Sequence, residues 1–227
     1  MTNRTAVFDE GRMSSEERRK QLIRVALTLF SKHGFCGTTT KEIARMAGVN
    51  EAIVFRHFPS KETLYSAILD YKANEAGSED WIDDLRQFTD SNDDEGLIQA
   101  LIKRIVDHHR KDRDFLRLMF YSALEDHTLA QRFRDKHVTP LHKFLRDYII
   151  KRQREGAFAG FSPNAVVRAI IALPLYHSMV KWLFEFKSLD VTDADAIDTF
   201  PKLLIDGLRK PPGKHPNPKK SSHKKAE

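Results

Sequence analysis

Apolar residues recur at three- and four-residue intervals along most of this chain, and hardly any stretch alternates as a strand would. The pattern predicts helix after helix. The first runs over 15–33, where Leu22, Ile23, Ala26, Leu27, Leu29 and Phe30 form a stripe at helical spacing. Ser14 and Glu17 make a capping-box pair at its start, and Gly34 is placed to end it. After a dense segment over 34–64, a long helix is predicted from 60 to 74, broken at Gly77-Ser78. Trp81, Ile82, Leu85 and Phe88 mark a short apolar face, followed by an acidic loop over 89–96. Leu97, Ile98, Leu101, Ile102, Ile105 and Val106 begin an amphipathic helix ending near His109. Asp112 or Asp114 caps the next, and Pro140 opens another that closes at Arg154-Glu155-Gly156. The last two predicted helices cover 163–187 and 193–208; each contains a proline, Pro174 and Pro201, where a kink is expected.

The segment GFCGTTTKEIARMAGVNEAIVFRHFPSKETL over 34–64 carries the most information. Thr38 to Thr40 offer hydroxyls to cap a helix whose apolar face is Ile43, Ala44 and Ala47. Gly48 suits a turn between packed helices that needs a positive φ. Asn50 is a good N-cap for a second short helix over 50–57, whose exposed side is expected to carry Glu51, Ala52, Ile53, Arg56 and His57. Phe55, Phe58 and Leu64 supply apolar mass to hold it, and Pro59-Ser60 ends it and starts the next helix. Helix, tight turn, helix is the grammar of a helix-turn-helix, which places one helix end in a DNA major groove. An ordinary corner between two helices uses the same turn.

The whole string in one register resembles the DNA-binding domain of the tetracycline-repressor (TetR) family of bacterial regulators. The resemblance rests on Gly34-Phe35, Thr38-Thr39, Ile43-Ala44, Ala47-Gly48-Val49-Asn50, Phe55-Arg56-His57-Phe58 and Ser60-Lys61-Glu62. It implies an all-α fold, with an N-terminal three-helix helix-turn-helix domain and a larger helical domain for ligand binding and dimerisation. By family position, Thr38, Thr39, Lys41, Phe55, His57 and Lys61 are expected at the DNA backbone. Asn50, Glu51, Ala52, Ile53 and Arg56 are best placed for base edges, Arg56 being their only long donor. Ile53 stands where the family often has Thr and Phe55 where it commonly has Tyr, so two hydroxyl contacts are lost. Apolar contact with a thymine methyl can replace the first.

Charge supports a nucleic-acid-binding head. Residues 1–63 hold 11 Lys and Arg against 7 Asp and Glu, residues 64–209 hold 21 against 24, and 210–227 hold 6 against 1. Positive charge thus lies on the helix-turn-helix portion and on the C-terminal segment. Arg18, Arg19, Lys20 and Arg24 on the first helix lie near its start, where the helix dipole disfavours them, and proximity to phosphates accounts for them better than helix stability. The single cysteine, Cys36, excludes an internal disulfide framework and fits a reducing cytosol. The first residues lack the apolar core of a signal peptide, and the apolar stretch 169–180 is read as too short to span a bilayer, so a cytoplasmic protein without a membrane partner is expected.

These readings divide the chain into a flexible arm (1–13), the helix-turn-helix domain (14–60), a helical regulatory and dimerisation domain (61–209) and a disordered basic tail (210–227). In the body, Arg117, Tyr121, His142, Tyr176 and His177 are candidates for an effector pocket, because each brings a polar group to an aromatic or apolar neighbourhood. The resemblance puts dimerisation in the last two helices, through the apolar positions Val166, Ile170, Leu173, Val180, Phe184, Ile197, Leu204 and Leu208. No phosphate-cradling loop, nucleophile elbow or metal-ligand spacing is present. His108 and His109 are adjacent and point in different directions, so neither an enzyme nor a metal or other cofactor is expected. The predicted function is a ligand-responsive regulator that binds a palindromic operator as a homodimer, represses, and is released by a small-molecule effector. The alternative is a ligand-independent architectural DNA-binding protein.

Overall fold

A computed structural model describes residues 13–75, 81–125, 128–186 and 191–209. The arm, the tail and the Gly77-Ser78 break lie outside the described residues, apart from Met13. The described chain is a succession of helices: α1 Ser15–His33, α2 Thr40–Met46, α3 Glu51–His57, α4 Lys61–Glu75, α5 Trp81–Asp90, α6 Asp94–Lys111, α7 Arg113–Leu124, α8 Thr128–Phe133, α9 Thr139–Arg154, α10 Pro163–Ser178 and α11 Asp193–Leu208. Arg134–Val138 joins α8 to α9 as a π-helical turn, and Met179–Leu183 extends α10 in the same way. Extended pairing among the described residues is confined to the isolated bridge between Phe158 and Arg209.

Local chemistry sets the boundaries. Ser14 and Glu17 close a reciprocal capping box on α1, and Gly34 ends it at φ 71°. Thr39, the middle of the three threonines, caps α2 and shares a second box with Glu42. Asn50 caps α3 by accepting the Ile53 N–H at 3.0 Å, and Gly48 makes the intervening turn at φ 68°. Ser60 and Thr63 exchange side-chain-to-backbone bonds at the start of α4. Asp112 caps α7 by accepting from Phe115 N–H. Helices α8 and the turn after it were not foreseen, because residues 128–138 alternate charges and single apolar side chains without a clean stripe.

Two buried clusters organise the molecule. The first joins α1, α2, α3 and α4 through Leu22, Phe30, Ile43, Val54, Phe58, Leu64, Tyr65 and Ile68, and it takes in Phe115 and Leu118 of α7. This core therefore does not close at residue 60; α4 and one face of α7 belong to it. The second joins α5, α6, α9, α10 and α11 through Leu85, Leu101, Val106, Leu145, Ile149, Val167, Ile170 and Ile205. Phe55, expected to help hold α3, is instead 45% exposed, and Phe58 and Leu64 do that work.

The second core corrects the assignment of the dimerisation face. Val166, Ile170 and Leu208 are members of this core, Ile197 and Leu204 pack against it, and Val180 is buried. Leu173 is half-buried, and Phe184 alone of the eight is exposed. Helices α10 and α11 are apolar on more than one side, so spacing could not separate the side facing α6 from the side facing out. The outward side carries Ala169, Ala172 and Tyr176 on α10 and Leu203 and Gly207 on α11, with Tyr176 61% and Leu203 63% exposed. The apolar run is also longer than expected. The helix Pro163–Leu183 has 21 residues and mean hydropathy 1.2, enough by length and composition to cross a membrane, although its inner side is part of the second core.

Candidate functional site

Helix α3 is a short helix held from behind and bare in front. Val54 is buried beneath it. Arg19 of α1 donates to the His57 carbonyl at 3.2 Å and lies 4.3 Å from the centre of the Phe58 ring, fixing the end of α3. Gln21, two residues further along the same helix, donates to the Ala47 carbonyl at 3.2 Å and fixes the end of α2. These two positioning contacts escaped the sequence because they span 38 and 26 residues. The sequence places Arg19 with the basic residues expected near phosphates; in the structure its guanidinium holds the end of α3.

The predicted DNA-contact residues divide into a presented set and a retained set. Ala52, Phe55 and Arg56 of α3 are exposed and Ile53 and His57 half-exposed, and Lys41 of α2 and the α3 cap Asn50 are exposed as well. Thr39 is exposed while its hydroxyl caps α2. Thr38 is buried to 1%, and its hydroxyl donates to the Gly34 carbonyl at 2.9 Å, so its side chain faces inward. The Lys61 ammonium donates to the carbonyls of Phe35 at 2.8 Å and Thr38 at 3.0 Å and sits over the Phe35 ring. Glu51 accepts a hydrogen bond from the Thr40 hydroxyl, which ties the first turn of α3 to α2. Burial first, then the nearby charges of Arg19, Arg56 and Arg18, hold the His57 imidazole below its ordinary pKa.

The five candidates for an effector pocket do not converge. Tyr121 donates to the Lys32 carbonyl of α1 at 3.2 Å, at the junction with the head. Tyr176 faces outward. Arg117 pairs with Glu185 at 3.3 Å, and His142 is half-buried on α9. His177 is buried against Phe200 and bonds Asp193 at 3.0 Å, where Lys181 also reaches the same carboxylate. That group ties α10 to the start of α11.

A different cluster emerges between α6, α7 and the turn after α8. The His108 and His109 rings lie 5.9 Å apart, His108 is 6.4 Å from Phe115, Phe115 is 5.6 Å from Phe133, and Phe133 is 5.1 Å from His137. Ser178 donates to the Pro174 carbonyl, so the 3.0 Å contact between its oxygen and His109 Nδ1 requires the proton on Nδ1. Nε2 of His109 is then the bare acceptor. Burial, with a smaller push from His108, lowers the His109 pKa to about 4. Burial likewise lowers His108 and His137. The two adjacent histidines do point to different neighbours: His108 meets the Phe115 ring of α7, and His109 meets the Ser178 hydroxyl of α10.

The His109 shift makes stability pH-dependent with a definite sign. Its folded pKa lies below its unfolded value near 6.5, so the unfolded chain binds the proton first. The stabilisation is complete above pH 6.5 and is lost as pH falls towards 4. Unfolding free energies from denaturant titrations across that interval are expected to fall by on the order of 2–3 kcal/mol in the parent more than in His109→Gln, which does not titrate. Identical pH profiles for the two proteins would remove His109 as the source.

Residues 22–68 match the family described as bacterial regulatory proteins, tetR family. The uncharacterized HTH-type transcriptional regulator YvkB of Bacillus subtilis is 42% identical over 59 residues, which are 26% of this chain and 31% of that protein. The HTH-type transcriptional regulator RutR of Escherichia coli is 44% identical over 52 residues, 23% of this chain and 24% of that protein. The match to these relatives thus spans a third or less of their length. The HTH-type transcriptional repressor NicS of Pseudomonas putida is similar along most of the chain, 23% identical over 209 residues, 86% of this chain and 94% of NicS. In fold, the chain is similar to AibR in its crystal structure with isovaleryl coenzyme A and operator DNA, at TM-score 0.63 and 20% identity, over 83% of this chain and 98% of that one. Residues 22–68 thus carry the helix-turn-helix segment of the tetR family of bacterial regulatory proteins, and the fold of the whole chain, with a helical C-terminal body behind that segment, is similar to that of solved TetR-family regulators.

Proposed function

We propose that the protein is a homodimeric repressor that binds a palindromic operator and is released by a small-molecule effector. The observation that carries the reading is the front of α3, where Ala52, Phe55 and Arg56 are exposed on a helix pinned at both ends by Thr40 and Arg19. A rigid short helix with one long donor and apolar neighbours fits base edges in a major groove. NicS is named a repressor, and AibR was crystallised with both an acyl-coenzyme A and operator DNA, which supports repression and effector control here. Two heads must meet half-sites about 34–36 Å apart, so a shift of a few ångströms in the body is enough to break the match.

Dimerisation is assigned to the outward side of α10 and α11, with Ala169, Ala172 and Tyr176 against their symmetry mates and Leu203 and Gly207 beside them. The small side chains let two helix pairs approach closely in a four-helix arrangement. The effector is sensed in the body beside the His109 cluster, whose neutral imidazoles and phenyl rings suit an aromatic or acyl compound.

Selection of the full-length protein on random duplexes tests the reading, with an inverted repeat as the expected product. Loss of binding on adding acyl-coenzyme A or aromatic compounds supports effector control; binding indifferent to all such compounds favours the ligand-independent architectural alternative. Arg56→Ala is expected to cost about 1–3 kcal/mol on the selected duplex and to relax preference at one base pair in each half-site. An equal loss on random duplexes would make Arg56 a backbone contact.

A further inference from the structure

The loop that feeds the helix-turn-helix is held by a residue from far along the chain. Glu125 is the cap residue at the C-terminal end of α7. Its carboxylate accepts the Phe35 N–H at 2.8 Å and the Cys36 N–H at 3.4 Å. One turn earlier on α7, the Tyr121 hydroxyl donates to the carbonyl of Lys32 in the last turn of α1. Gly34 fits between them: its φ is 71°, and an added Cβ would overlap the Glu125 carboxylate and crowd the Tyr121 ring. From the other side, Lys61 of α4 holds the carbonyls of Phe35 and Thr38. The loop therefore has its N–H groups held by α7 and its carbonyls held by α4. Thr39, the N-cap of α2, follows directly.

We infer that Glu125 is a positioning residue for DNA binding, through which α7 sets the pose of the α1–α2 loop and hence of α2 and α3. The inference rests on the DNA-binding reading and assigns Glu125 no contact with DNA. Bonds to an ionised acceptor are the stronger and more directional class, so a carboxylate on two consecutive peptide N–H groups defines the loop more tightly than packing would. Glu125 also stands where the body meets the head, with α1 packed along α7 and Phe115 and Leu118 of α7 in the head's core. Any displacement of the end of α7 moves the carboxylate and, with it, the start of α2.

The test uses the full chain with Glu125→Ala and with the isosteric Glu125→Gln, which keeps one acceptor oxygen. Two quantities are read: amide hydrogen exchange, and affinity for the duplex selected by the parent from a random pool. In Glu125→Ala, exchange at Phe35 and Cys36 should quicken about tenfold or more while Leu101 and Ile102 in α6 keep their protection. Affinity for the selected duplex should fall about tenfold, with affinity for unselected DNA and the salt slope unchanged, because no phosphate contact is lost. Glu125→Gln should fall between parent and Glu125→Ala on both readouts. Unchanged exchange at Phe35 and Cys36, unchanged affinity for the selected duplex, or equal loss of protection in α6 would each overturn the inference. A parent that selects no duplex would overturn the DNA-binding reading itself; that failure is distinct, because the exchange response at Phe35 does not depend on DNA.

Discussion

A chain carrying Tyr176→Glu together with Leu203→Lys is expected to be a folded monomer that has lost about 10²- to 10⁴-fold in operator affinity. Both side chains are mostly exposed, so the single chain tolerates the new charges. In the proposed dimer the same positions would face each other across the two-fold axis. Two glutamates and two lysines would then be buried near their own copies, where like charges and desolvation both oppose association. The affinity loss follows from linkage: once one head is bound, the second is tethered close to its half-site, and a monomer forgoes that effective concentration. Mass in solution and helix content measured together decide the matter. A variant with parental helix content that keeps twice the chain mass at low micromolar concentration would place the interface elsewhere. Leu204→Lys, by contrast, puts a charge against the second core and is expected to unfold the body rather than separate dimers.

The head was legible in the sequence because its determinants are local. The capping box at Ser14, the Asn50 cap and the positive φ at Gly48 each act within about four residues and stand where spacing predicted them, and the structure singles out Thr39 among the three candidate threonines as the cap of α2. Helix α11 likewise spans the predicted 193–208, with Thr192 as its cap. What the sequence hid is contact between distant segments. Periodicity identified α10 and α11 as apolar helices but could not say which side α6 would cover, so buried Ile170 and Leu208 were assigned to an interface. Tyr121 was taken for a pocket residue because a polar tip stood in an apolar stripe; the tip is used instead on the Lys32 carbonyl, 89 residues away in sequence. Lys61 and Thr38 fit the family's motif, yet their polar atoms serve the loop in this structure. A motif position records that a residue type is needed there without saying which neighbour needs it.

Asp94→Ala breaks a largely buried ion pair of the body and is expected to lower its stability by about 3 kcal/mol. Asp94 stands in the first turn of α6, where the helix dipole favours a carboxylate. One of its oxygens accepts from the Tyr148 hydroxyl at 2.6 Å and from Arg152 Nε at 2.8 Å, and the other accepts from Arg152 Nη2 at 2.9 Å. The arrangement is bidentate, and both side chains are more than four-fifths buried. It pushes the Arg152 pKa up, chiefly through the bond to Asp94, while burial raises that of Tyr148. Removing the carboxylate leaves a buried hydroxyl without its partner and a guanidinium that retains only Glu155 as its acidic neighbour among these contacts. Glu155 keeps the cost towards the lower end of the range for breaking a buried pair. The consequence reaches the site, because α6 is the helix against which α10 and α11 pack and so fixes the proposed dimer face. Urea unfolding of Asp94→Ala, Arg152→Met and the double variant measures the coupling as a cycle. The double variant should recover part of the loss, since no buried charge is then left unpaired. A single-variant cost under about 1 kcal/mol would mean that the pair is screened like a surface salt bridge.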